Sequence, residues 1–276
     1  MKAFAGIFNS LSLNIVAGAC VCSIFITRVL GSTISLLSII SLGISVWIIY
    51  TFDHYNDAKH LKIKGKPRHL FHLENLNLIR FLLIVALCVN AAIVIFLPEK
   101  VLILGIGLLL LVVIYFMAMR LLSQYVGIFK ELLIAYIYST GIFIPAIANY
   151  SKPFSISILL LYLVFFLLAW INLLLFSWFD YEYDCRAGFS SFANVFGRKF
   201  SNKIIWILLI VFYVLWVWVF YFFPDGSFPG ELKWITISMG IILSIIQIHP
   251  ALFSRREKYR WVGDAIFLIP LMSLLK

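Results

Sequence analysis

Two short acidic clusters carry the residue types and spacing most suited to chemistry in this 276-residue chain. The first reads Tyr50-Thr-Phe-Asp53-His-Tyr-Asn-Asp57, the second Phe179-Asp180-Tyr-Glu182-Tyr-Asp184. Each holds an Asp-x-x-x-Asp, and residues four apart share one face of a helix with Cβ atoms about 5–6 Å apart. Four carboxylates gathered at the negative ends of two helices repel one another and require a cation. Mg²⁺, with Mn²⁺ as an alternative, suits them. It takes oxygen ligands, keeps several waters and is commonly held by one or two carboxylates plus substrate phosphates. Asp53, Asp57, Asp180 and Asp184 are therefore the candidate metal ligands.

Basic residues flank both clusters. Lys62, Lys64, Lys66 and Arg68 follow the first, Arg198 and Lys199 follow the second, and Lys130 lies between them. Such groups suit a diphosphate, which Arg grips bidentately and Lys meets as a point charge. Competing motifs are weak. His69-x-x-His72 has no third ligand in a fixed frame, as zinc would need. Cys20, Cys22, Cys88 and Cys185 have neither disulfide nor zinc spacing. There is no phosphate-binding glycine loop, nucleophile elbow or nucleic-acid motif, so nucleic acid is not an expected partner.

The elements that must position these groups follow from composition. Apolar side chains make up 63% and charged ones 12%, and mean hydropathy is +1.05. Soluble domains average about 45–50% and 25%. Too little polar surface remains to cover a globule in water, so the surrounding solvent is lipid. A membrane crossing needs about 20 mainly apolar residues. Nine segments qualify: 11–30, 33–52, 77–97, 101–119, 131–150, 154–178, 204–223, 234–253 and 261–275, the last short and holding Pro270. The expectation is an all-α polytopic bundle of about nine transmembrane helices, one domain over residues 1–276, with the first segment retained rather than cleaved.

The net charge of +10 is unevenly placed. Arg28, Lys100, Lys152, Lys233 and Lys276 fall on one side of the expected bundle, and every other Lys and Arg falls on the opposite side. Basic residues are retained in the cytoplasm. Both acidic clusters are thus expected at the cytoplasmic face, with the C-terminus outside, in what reads as a bacterial cytoplasmic membrane. Asp264, in the last segment, is expected near the interface, paired with Arg260 or a neighbouring loop. His249-Pro250 reads as a helix end.

At these motifs the chain resembles the UbiA superfamily of intramembrane prenyltransferases, which has nine transmembrane helices and aspartate-rich motifs after the second and sixth. Asp180-Tyr-Glu182-Tyr-Asp184-Cys-Arg-Ala-Gly188-Phe-Ser-Ser191, continuing to Gly197-Arg198-Lys199, is similar to the family's D-x-E-x-D-x-x-x-G-x-x-[ST] followed by a glycine and a basic residue. The first motif commonly reads N-D-x-x-D-x-x-x-D. Here Asp53 and Asp57 keep its last two acidic positions, while Ile49 and Tyr50 stand where the family has Asn and Asp. Arg68 falls where an Arg-Pro often follows that motif. Tyr125 and Lys130 resemble the basic segment after the fourth helix, and Asn172 sits where polar residues face the cavity.

The resemblance implies Mg²⁺-dependent transfer of a prenyl group from its diphosphate to a lipophilic acceptor, aromatic or quinone-like, inside the bilayer. Asp53, Asp57, Asp180 and Asp184 would hold the metal. Lys130 and Tyr50 would act on the reacting groups, and Lys66, Arg68, Tyr125, Asn172, Arg198 and Lys199 would bind substrate. Aromatic faces stabilise an allylic cation by about 0.5–2 kcal/mol each, with Phe52, Tyr136, Trp170, Phe176 and Trp178 as candidates. Two other readings share the same residues. One is a terpene cyclase on the same scaffold, and the other a cation-coupled transporter, although transporters typically place such charges near the bilayer midplane.

Overall fold

The computed structural model describes residues 11–59, 67–121, 129–151, 153, 155–222 and 228–275. Among the described residues the long apolar runs are helical, because a backbone in lipid must satisfy its hydrogen bonds within its own segment. The first crossings are α1 (Leu13–Leu30) and α2 (Leu36–Lys59), followed by the short α3 (Pro67–Glu74). Then come α4 (Leu76–Val94), α5 (Glu99–Leu121), α6 (Lys130–Ala148) and α7 (Ile156–Ala187). A one-turn α8 (Phe192–Phe196) leads into α9 (Arg198–Val217), which continues through a π-turn, and then α10 (Gly230–Ile248). Among the described residues, eight helices are long and apolar enough to cross a membrane. This is an integral membrane protein.

The expected ninth crossing is segmented. α11 (Pro250–Ser254) starts at the proline after His249, where α10 has ended. Then α12 (Lys258–Ala265), a 3₁₀ turn over Ile266–Leu268 and α13 (Leu271–Leu274) follow one another, with Pro270 at the last joint. A proline has no N–H for the preceding turn and clashes with it, which breaks the run.

Both acidic clusters lie on helix rather than in loops. α2 and α7 run on past the apolar stretches expected for them. The 32 residues of α7 span about 48 Å at 1.5 Å per residue, well beyond an apolar layer of about 30 Å. Its final turns therefore project at the polar boundary, carrying Asp180 and Asp184. Gly188 stops the helix with φ 75°, and its N–H returns to the carbonyl of Asp184. That left-handed conformation is one glycine adopts without steric cost.

α7 is the hub. Leu161, Val164, Phe165, Leu168, Ile171, Leu174 and Leu175 are fully buried along it, packed against α6, α9, α10 and α12. α4 and α5 lie at the periphery and present Phe81, Ile84, Leu87, Leu109 and Ile114 outward, as lipid-facing surfaces do. Polar contacts tie neighbouring crossings together, as is usual where lipid supplies no hydrophobic drive between helices. Asn90 of α4 accepts from Ser41 at 2.9 Å and donates to Ser45 at 3.0 Å. Trp216 of α9 donates to Thr236 of α10 at 3.0 Å. Arg28 of α1 donates to the Ser273 carbonyl of α13 at 2.6 Å.

Gly263 sets the distance between α12 and α7. A Cβ there would fall 2.2 Å from Asn172 Oδ1 and 2.8 Å from the Phe176 ring. Only a residue without a side chain lets the last crossing come this close.

Candidate active site

Five elements converge on one cavity of about 160 Å³, open at the end of the bundle where α2 and α7 terminate. Each long helix lines it with a stripe spaced by three or four residues. α7 contributes Asn172, Phe176, Asp180 and Asp184, α6 Lys130, Ile134 and Tyr138, and α2 Tyr50, Asp53, His54 and Asp57. The last crossing adds Arg260, Asp264 and Phe267, and the start of α1 adds Ser12 and Ile15. On α2, α6 and α7 the charge nearest the helix end sits at the rim, with Tyr50, Ile134 and Phe176 a turn or two inward.

The rim holds the electrostatics. Single ligand atoms of Asp53, His54 and Asp57 lie within 4.8 Å of one another, close enough to share one ion. Two carboxylates in that set fit Mg²⁺, and the adjacent imidazole also suits Mn²⁺. The Lys130 ammonium lies in the field of Asp53 above all, and of Asp57 and Glu131. Across the cavity Asp180 is 5% exposed. Arg260 is ion-paired with one of its oxygens and the Tyr259 hydroxyl donates to the other. Tyr259 in turn stacks on Phe179, centroids 4.4 Å apart.

The wall after α7 is fixed by capping. The backbone N–H of Phe192 donates to Glu131 Oε1 at 2.9 Å, and that of Ala193 donates to Ser177 Oγ at 3.0 Å. Ser191 Oγ accepts from the Asn194 N–H at 3.4 Å. These bonds serve the first donors of α8, which its own backbone cannot reach. They hold Phe189, Ser190 and Ser191 against the cavity mouth.

Of the residues singled out in the sequence, Tyr50, Asp53, Asp57, Lys130, Asn172, Asp180 and Asp184 line this cavity. Arg198 and Lys199 do not. Arg198 is exposed, 3.5 Å from Glu182 and 4.3 Å from the centre of the Trp178 ring, and Lys199 is exposed on α9. Both stand at the first positions of α9, which leads away from the mouth after Gly197. Lys66 and Tyr125 lie outside the described residues, and Arg68 is placed only by its backbone, in α3. Among the aromatic candidates Phe176 faces the cavity. Phe52 packs on Phe116, Tyr136 on Tyr162 and Trp170 on Phe166.

The sequence suggested that Asp264 pairs with Arg260 or with a neighbouring loop. The structure gives Arg260 the Asp180 carboxylate, and gives Asp264 the Asn14 side-chain amide at 2.7 Å. Arg260 stands at the rim beside α7, and its long side chain reaches across the interface to Asp180. Sequence reasoning passed over His54, Glu131, Tyr138, Tyr259 and Arg260 as site residues. One signal was available: an ionisable residue within a membrane segment usually faces the bundle interior and marks a function. Asp264, in the last apolar segment, fits that description.

A helical membrane bundle with a cavity edged by two acidic helix ends defines a class, and the class is the UbiA fold. A UbiA homolog from Aeropyrum pernix K1 matches over 96% of this chain and 98% of its own, with a TM-score of 0.69 at 15% identity. A UbiA homolog from Archaeoglobus fulgidus bound to GPP and Mg²⁺ matches with a TM-score of 0.69 at 14% identity, over 98% of this chain and 100% of its own. A digeranylgeranylglyceryl phosphate synthase matches with a TM-score of 0.57 at 15% identity, over 100% of this chain and 97% of its own. No family model and no curated protein matches the sequence.

Proposed function

We propose that the chain is a UbiA-superfamily prenyltransferase. On this reading it moves a prenyl group from a prenyl diphosphate to a lipophilic acceptor, aromatic or quinone-like, within the membrane and at its cytoplasmic face. The observation that carries the reading is the convergence of Asp53, Asp57, Asp180, Asp184 and Lys130 on one rim, above a wall of Ile134, Leu173, Phe176 and Phe267. The acidic rim with its lysine suits a metal-bound diphosphate, and the apolar wall suits a prenyl chain. One of the Archaeoglobus homologs of this fold was solved with DMAPP and Mg²⁺.

Asp53 and Asp57, with Asp184 opposite, are the residues suited to hold Mg²⁺. The ion supplies Lewis-acid stabilisation of charge on the departing diphosphate. Lys130, held at the rim by Asp53, presents an ammonium to the diphosphate oxygens as the bond from oxygen to the allylic carbon breaks. Asp180, neutralised by Arg260 and fixed by Tyr259, keeps the end of α7 in place beside them. Tyr50, one turn inside Asp53, offers a hydroxyl to the diphosphate or the acceptor. The face of Phe176 attracts the allylic cation. The apolar wall limits the water that could intercept it.

The test is pyrophosphate release from labelled GPP by the purified protein in nanodiscs with Mg²⁺. Transfer is expected to show release that rises with acceptor, and label that moves onto it. Release independent of acceptor, with label in a free hydrocarbon or alcohol, would make the protein a cyclase. No release, together with ion-dependent flux in vesicles, would make it a transporter.

A further inference from the structure

Below the charged rim the cavity has a second polar layer that the metal–diphosphate chemistry does not use. Asp264 lines it, one turn or about 6 Å inward of Arg260, and is 9% exposed. Its carboxylate is oriented from behind by Asn14 Nδ2 at 2.7 Å. Tyr138 lines the same layer from α6, two turns or about 12 Å inward of Lys130. It is 8% exposed and its hydroxyl has no hydrogen-bond partner. Asn14 Oδ1 is likewise buried and unpartnered. A buried hydroxyl without a partner forgoes the hydrogen bond it would make in water, so a donor–acceptor pair lining a cavity is a site for a polar group brought by a ligand.

Resting on the prenyl-transfer reading, we infer that Asp264 and Tyr138 form the subsite for the acceptor's hydroxyl, and that the acceptor is a neutral hydroxyl compound rather than a carboxylate. The hydroxyl donates to Asp264 and accepts from the Tyr138 O–H. Among the described residues the Lys and Arg lining the cavity are Lys130 and Arg260. Lys130 faces Asp53, and Arg260 is paired with Asp180. A carboxylate lying against Asp264 would meet a like charge in a confined, poorly hydrated space, which is a direct way to reject a competitor. The Tyr50 hydroxyl lies in the field of both Asp264 and Asp53, and so stands between this layer and the metal site.

The test is equilibrium binding to the full chain in nanodiscs, with 4-methylphenol against 4-hydroxybenzoate and dodecanol against dodecanoate as matched probes. In each pair the hydroxyl compound is expected to bind about 10-fold or more tightly than the carboxylate. Asp264→Asn keeps the shape and should shrink that ratio to about 2-fold or less, mainly by admitting the carboxylate. Tyr138→Phe should weaken the hydroxyl probes about 5–10-fold and leave the carboxylates unmoved. Variants are compared only where they elute as the wild type does on size exclusion, and either one alone suffices. Equal binding within the wild-type pairs, or a ratio unmoved by both substitutions, overturns the inference. GPP binding with Mg²⁺ is measured alongside. Its loss in the wild type, with the hydroxyl preference intact, would overturn the prenyl-transfer reading and leave the subsite standing.

Discussion

Arg260 of α12 is ion-paired with Asp180 of α7, joining the last crossing to the second acidic cluster across 80 sequence positions. Their side chains are 13% and 5% exposed, so neither charge is fully solvated. A buried pair contributes little net stability relative to apolar packing, yet losing one partner strands the other. Arg260→Met is therefore expected to destabilise the protein by about 3–5 kcal/mol. Adding Asp180→Asn should recover part of that loss, because the stranded charge disappears. Chemical unfolding in micelles measures both. Equal stability of Arg260→Met and wild type would refute the pairing.

The metal assignment predicts a different pattern at the rim. Asp→Asn at position 53, 57 or 184 keeps the side-chain volume and removes the charge. Each is expected to lower turnover of a prenyl diphosphate by about 100-fold or more while membrane insertion is unaffected. Stripping divalent ions with a chelator should abolish turnover, and adding back Mg²⁺ or Mn²⁺ should restore it. Near-wild-type rates at all three positions would remove these residues from the metal site.

Gly263 offers a steric test. An added methyl would meet Asn172 Oδ1 and the Phe176 ring inside contact distance, so Gly263→Ala should force α12 from α7 at about 1–3 kcal/mol. The same displacement moves Phe176 and Asp264, both cavity residues, so activity should fall with stability. At Gly107 of α5 nothing lies within 4 Å of an added Cβ. Gly107→Ala should be neutral or stabilising by up to about 1 kcal/mol. Thermal unfolding of the two variants side by side decides the matter.

Topology follows from the distribution of basic residues. Reporter fusions at Lys64 and Lys199 are expected on one side, the cytoplasm, and a fusion at Lys276 on the other. If the first two report opposite sides, the two acidic clusters do not share a membrane face.

What the sequence determined by itself was local. A helix in lipid closes its own hydrogen bonds, so the long apolar runs declared helices before any neighbour was known. The Asp53/Asp57 and Asp180/Asp184 spacings fixed which residues share a helical face. Tertiary structure decided which of those faces meet. Arg198 and Lys199 stand next to the second cluster in sequence and outside the cavity in space, because α9 starts there and carries them away. Arg260, Asp264 and Tyr138 line one cavity, with Asn14 behind Asp264, although they come from three segments far apart in the chain, and helix packing alone brings them together. The periodicity of a single helix gives the direction of each side chain around its own axis. The partner in that direction depends on how closely helices approach, and here that is set by contacts as small as the missing methyl of Gly263 against Asn172 and Phe176.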